Sequence, residues 1–390
     1  MRGTYRHIII IAAGVLACFA AALPAVAQDD APVHPANLTF FYPIGTNQDP
    51  TILTYFRLNL MYGRVGYIKG VDVGTFVNRV DKDLRGIQLT GVYSQTGRDM
   101  RGVTLTGGVT YTGGSARGIQ VSGLVNFNRS WFRGFQYATL FNFTQDHFTG
   151  IQWSSVFNLA NENFRGFQVA SFANLTAGDM RGFQIGALNY VNDFMRGAQI
   201  GATNLAVDFS GAQIGFFNFA RKGHGAMIGL LNYVTEFDGV PVGAVNWDKT
   251  KGNADWTSFA SNIAMVSTGL RTTVNRWVAT AAFGIGDIEE ERYDTLFLSW
   301  YYGYMYPLGE GDKWWITPEV GYVHIMPQTP EEGKSMDFQF MLQGLVKAEV
   351  EASDVVRVFL GGGVSVRFSE YSTDASSTTD PLVIGGVALW

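Results

Sequence analysis

Apolar and polar residues alternate in short runs along most of this chain. Around "RGFQIGALN" (181–189), Phe183 and Ile185 fall on one side and Gln184 and Gly186 on the other. That period of two predicts a short strand with one buried face. The phrase recurs. Its leading glycines are Gly70, Gly86, Gly102, Gly118, Gly134, Gly150, Gly166, Gly182, Gly197, Gly211, Gly225 and Gly239. The spacing is 16 residues over the first eight, then 15, then 14. Twelve regular units mark a repeat architecture. Gln stands at 88, 120, 136, 152, 168, 184, 199 and 213. Asn closes the phrase at 126, 142, 158, 174, 189, 204, 218, 232 and 246. Gly and Asn suit corners that need positive φ.

The parity of the repeat decides its direction. An antiparallel meander repeats by hairpins, because successive strands reverse. Here the single strand is the unit, with the same Arg-Gly entry each time. Identical units favour parallel stacking, and so a β-solenoid with one coil per repeat. At about 4.8 Å per coil, twelve coils make a rod roughly 58 Å long. Stacked Gln and Asn side chains form amide ladders along such a rod.

After Trp247 longer alternating runs begin. We read strands at Trp256–Leu270, Arg276–Asp287, Asp294–Pro307, Trp314–Met326, Asp337–Glu351, Val355–Ser369 and Pro381–Trp390. Phe340, Leu342, Val346, Ala348 and Val350 oppose Gln339, Gln343, Lys347 and Glu349. Val358, Leu360, Val364 and Val366 oppose Arg357, Ser365 and Arg367. Aromatics cluster in "SWYYGYMY" (299–306) and "WW" (314–315). Apolar outside, polar inside and aromatic girdles describe an outer-membrane barrel. "YFRLNLMYG" (55–63) alternates likewise and supplies an eighth strand, completing an even count with a filled lumen.

The expected fold class is therefore all-β, a parallel β-solenoid combined with an antiparallel barrel of about eight strands. The expected organisation is a signal peptide (1–27), a linker (28–49), a first barrel strand (50–63), the repeats (64–250) and the remaining barrel strands (251–390). An inserted solenoid of this kind emerges at the cell surface, since strand one runs outward.

Composition sharpens the address. Arg2 and Arg6 precede an apolar core at Ile8–Ala22, and Ala25-Val26-Ala27 provides a cleavage site before Gln28. A rival reading is lipidation at Cys18, the only cysteine, after Val15-Leu16-Ala17. Simple cleavage leaves a mature chain without a thiol. Charged residues make up 16% of the chain against a usual share of about 25%, and the net charge of −5 gives no reason for nucleic acid. No later apolar run reaches the length of a membrane helix.

The units "RGFQIGALN" (181–189), "RGAQIGATN" (196–204) and "SGAQIGFFN" (210–218) resemble those of bacterial outer-membrane and surface-repeat proteins. The resemblance spans about 70–247, and earlier units place Asn one position further on. It implies a cell-envelope location and carries over no catalytic residues.

Candidate chemistry is sparse. Arg85, Arg101, Arg117, Arg133, Arg165, Arg181 and Arg196 precede the glycines and would form one file. Such a file suits an anionic polymer or lipid head groups. The plain alternative is a solvated corner neutralised by Asp83, Asp99 and Asp179. No acid–base carboxylate pair of a glycosidase can be picked out. His34, His147, His224 and His324 lack metal spacing. "LGGGVSV" (360–366) lacks the Lys and helix of a phosphate loop and reads as a strand. No catalytic, cofactor-binding or metal site is assigned. The function expected is a non-enzymatic outer-membrane scaffold in contact with outer-membrane lipid, with an unidentified extracellular or envelope ligand. The alternatives are a porin-like transporter closing all strands into one barrel, and a soluble periplasmic β-solenoid.

Overall fold

The computed structural model describes residues 31–389, except 48, 264–265, 287–294, 310, 312, 328–338 and 372–373. The expected signal peptide with Cys18, and Trp390, lie outside the described residues. Each repeat forms one coil of a parallel β-solenoid. In a typical coil, Phe164–Ala170 and Ala173–Thr176 are strands joined by a tight corner. The next coil stacks on it in strict register, Arg165 on Arg181, Gly166 on Gly182 and Gln168 on Gln184. Asn158 likewise pairs with Asn174. The leading glycine is there for two reasons. Gly182 has φ of 133°, which L side chains rarely adopt, and a Cβ on it would lie 1.9 Å from the Gly166 carbonyl oxygen. Toward the barrel the units shorten, and separate strands merge into Leu188–Ile200, Thr203–Ile214 and Phe217–Asp248.

The stack starts earlier than the repeat phrase. Val33–Phe41 pairs in parallel with Leu53–Val65, which pairs in parallel with Tyr67–Gly74 and Val77–Val80. Two expectations are corrected here. Within the expected linker 28–49, Val33–Phe41 is a solenoid strand, and Tyr55–Gly63 is part of a solenoid strand rather than the first barrel strand. The alternation was read correctly, but the polar interior it faces is that of a coil. Arg57 lies fully buried there and its Nη2 meets Asp72 at 2.6 Å.

The barrel is nevertheless eight-stranded and closed. Its strands are Asn253–Ser261, Val266–Val274, Trp277–Gly286, Thr295–Tyr304, Trp314–Pro327, Gln339–Ser353, Val356–Tyr371 and Asp374–Leu389. Each pairs antiparallel with the next, and the first pairs with the last, Trp256 opposite Leu389. The eighth strand comes from Trp256–Leu270, which is a hairpin and not one strand. Asn262 marks the bend. Its Nδ2 donates to the Pro381 carbonyl and its Oδ1 accepts from the Val383 amide. The solenoid therefore precedes the barrel in the chain and is not inserted into it. Nor do the repeats join one porin-like barrel, since they stack in parallel coils.

Candidate interaction surface

The coil interior has a polar half and an apolar half. Gln184 is fully buried, whereas Phe183 and Ile185 are 41% and 40% exposed. The buried face of the repeat strand is thus the amide face, contrary to hydrophobic patterning. In-register stacking explains it. Gln184 donates to Gln168 at 2.8 Å, and Gln168 donates to Gln152 at 3.0 Å. Asn158 donates to Asn174 at 3.0 Å, and the file continues to Asn246. Every amide carries both a donor and an acceptor, so it pairs with its own copy one coil away. The apolar half is a column formed by the residue two before each glycine. Phe132, Phe148 and Phe164 stack there with centroids 5.0 and 4.8 Å apart. Buried Leu84, Met100, Met180 and Met195 extend it.

The displaced apolar residues coat the outside. Along one sheet most strands from Leu84 to Ile200 present Arg, apolar, apolar, as in Arg181, Phe183, Ile185, with Thr149 in the Arg place on one of them. The corner that follows carries exposed Val92, Leu124, Leu140, Phe172, Phe216 and Leu230. Large apolar side chains recurring along one exposed edge mark a surface that takes an apolar partner. The opposite edge holds the Arg file and charged loops. Arg101, Arg117, Arg133, Arg165, Arg181 and Arg196 are exposed, and among the described residues none has a carboxylate within ion-pair distance. The expected neutralisers are otherwise engaged. Asp83 pairs with Arg98 at 3.1 Å and reaches Arg85 only at 3.9 Å. That hydrogen bond holds the Arg98 guanidinium above its ordinary pKa. Asp99 accepts from Ser115, and Asp179 from the Phe194 amide.

The barrel lumen is packed with charge. Buried Arg271 meets Glu349 at 2.8 Å, and buried Lys347 meets Glu319 at 2.7 Å. Arg357 joins Glu351 at 2.9 Å, and Tyr301 donates to Gln343 at 2.8 Å. Lys347 Nζ also lies 4.7 Å from the Phe359 ring centroid. Gln343, Lys347, Glu349 and Arg357 were legible as an inward face. Arg271, Glu319 and Asp255 were missed, although each holds an alternate position on its strand.

The two parts meet on the outside of the barrel wall. Outward positions are bare at the far end and covered at the near end. Val266 is 49% exposed but Thr272 is fully buried, and Phe283 is 55% exposed but Ala279 is fully buried. The cover is the open end of the last coil, whose backbone groups point along the solenoid axis. The Asn246 amide donates to Thr272 Oγ1, Trp300 Nε1 donates to the Gly243 carbonyl, and Asn275 Nδ2 donates to the Phe237 carbonyl. Val274 of the barrel completes the solenoid's own apolar core beside Val234 and Phe237.

The histidines are scattered. His34 lies on the first strand, His147 stacks on Trp131, and exposed His224 faces Asp238 at 3.2 Å. His324 lies beside Tyr322 on the outward side of its strand. Among the described residues no group of three or more His, Cys, Asp or Glu is placed to hold a metal. "LGGGVSV" lies within the strand Val356–Tyr371. Comparison of the chain with family models, curated proteins and solved structures finds no match.

Proposed function

We propose that this protein is a non-enzymatic outer-membrane scaffold, in which the barrel is the anchor and the solenoid is the working arm. The observation that carries this reading is the wall. Phe283, Leu298, Val320, Leu342, Leu360 and Val383 face outward around the barrel and are exposed. Strands of nine to sixteen residues reach across a hydrocarbon layer, which takes about 9–11 tilted residues. The ion-paired lumen argues for an anchor and against a conduit. A signal peptide ending at Ala27 and the resemblance of the repeats fit the same address.

The connectivity supports a periplasmic side for the solenoid. The solenoid enters the barrel at Asn253, at the same end as Leu389, where the last strand ends, and the tight turns 275–276 and 354–355. The strand ends separated by eight and eleven residues, Gly286 from Thr295 and Pro327 from Gln339, lie at the opposite end. The near end also carries the connection 305–313, drawn in by the pairing of Tyr306 and Pro307 with Ile316 and Trp315. Outer-membrane barrels keep short turns in the periplasm and long loops outside. The surface display expected from an outward-running Tyr55–Gly63 loses its basis with that strand. An epitope inserted between Ala177 and Gly178, on the polar edge, should be labelled only after the outer membrane is permeabilised. Labelling on intact cells would overturn the placement. Release of the whole protein without detergent would instead favour the soluble solenoid.

A further inference from the structure

We infer that the solenoid does not project into water but lies along the membrane, its apolar corner bedded in the lipid leaflet and its arginine file at the level of anionic phospholipid head groups. The inference rests on the reading of the barrel as membrane-spanning, and three observations on the solenoid carry it beyond that reading.

The first is the direction of attachment. The last coil docks end-on against outward wall positions, not over the barrel mouth. The solenoid axis therefore leaves the barrel sideways, through space that lipid would otherwise fill. The second is the depth of each contact. Phe237 meets Asn275 in the rim turn, whereas Gly243 meets Trp300. Trp300 pairs with Ala281, well inside the wall. Along the strand from 237 to 243 the coil thus descends from the rim toward the bilayer interior. In every coil the Arg position stands at the start of that descent and the apolar corner at its end. The third is chemical fit. Arg165, Phe167 and Val169, or Arg181, Phe183 and Ile185, set a cation two and four residues before apolar side chains on one outward face. An anionic head group above its acyl chains has the same order. Arginines in parallel register repel one another about 4.8 Å apart. Phosphates between them relieve that repulsion and accept bidentate hydrogen bonds. Near the first coils, Leu89, Leu105 and Val121 with Gly91 and Gly107 line a shallow, open depression on the apolar side.

The test uses the full chain with C18S, so that each variant carries one cysteine. F172C on the apolar corner, E162C on the polar edge and V364C on the barrel wall are each coupled to an environment-sensitive dye. The protein is placed in phosphatidylcholine–phosphatidylglycerol vesicles that include tail-quencher lipid. The expected result is quenching at 172 as strong as at 364, and none at 162. Quenching at 364 without quenching at 172 overturns the inference and leaves the anchor standing. No quenching at 364 overturns the anchor itself. Disulfide cross-linking of two F172C chains in place of quenching assigns the corner to a second copy and overturns the inference. Quenching at 172 should weaken when phosphatidylglycerol is left out. It should lose that lipid dependence when Arg133, Arg165 and Arg181 are all changed to Glu, and also in the milder Gln triple. Unchanged dependence in both triples would remove the arginines from the mechanism.

Discussion

The solenoid and the barrel both turn apolar residues outward and polar residues inward, yet they satisfy their buried groups in opposite ways. In the solenoid the buried ladder amides of the regular coils meet their own copies, Gln on Gln and Asn on Asn. In the barrel each meets a different residue, Arg271 with Glu349 and Lys347 with Glu319. Strand direction explains the contrast. Parallel stacking of repeats brings identical residues together, and identical charges in a buried file would repel. Only a group that both donates and accepts can form such a file, which admits amides and hydroxyls and excludes charged groups. Antiparallel pairing brings unlike residues together, so opposite charges can neutralise each other. The exception supports the rule. Arg57 and Asp72 are a buried ion pair at the start of the solenoid, where Asp72 holds the Gln position of the first unit and accepts from Gln88 of the next.

The contrast breaks most sharply in the lumen. E349A removes the carboxylate and leaves Arg271 buried beside no full partner. The expected loss is about 3–5 kcal/mol. Urea unfolding of the detergent-solubilised barrel measures it, and a loss below about 1 kcal/mol would mean that the network is well solvated. Glycine substitutions sharpen the difference in backbone demand. G182A forces a side chain into positive φ against the Gly166 carbonyl and should cost about 3 kcal/mol. G344A in the barrel meets nothing within 4 Å and should stay within about 0.5 kcal/mol. Equal effects would deny that the solenoid glycine, set within the strand Met180–Ile185, is the constrained one. The smallest effect is expected from removing a whole coil. Deleting Gly150–Arg165 rejoins Thr149 to Gly166 and restores both ladders. The protein should remain folded with its melting temperature little changed, while small-angle scattering reads an arm shorter by about 4.8 Å. Loss of the β-spectrum would mean that the coils are not interchangeable.

Much of this was legible in the sequence. Strand-level repetition gave parallel coils, Gln and Asn spacing gave the ladders, and alternation at Lys347 and Glu349 gave the lumen face. What escaped did so for a shared reason. Alternation states that two faces differ but not which one is inside. Tyr55–Gly63 fits a barrel and a coil equally, because both here bury the polar side. Phe183 and Ile185 point outward because their neighbours' amides find partners only in the stacked structure. The bend at Asn262 is held by Pro381 and Val383, more than a hundred residues away, so no local turn signal announces it. The side-on attachment left no trace either, since Thr272 and Ala279 read as ordinary wall residues.

From Gly70 onward the coils shorten only as they approach the barrel, from 16 residues per unit to 14. The molecule therefore has a stretch of uniform gauge and a separate fitting at its attached end. An in-frame duplication or loss of one unit between Gly70 and Gly182 changes how far the arm extends. It alters neither the cap built on Val33–Phe41 nor the tapered coil that seats against Thr272 and Trp300. Reach in this protein is a countable quantity that a single recombination event can reset, one whole coil at a time.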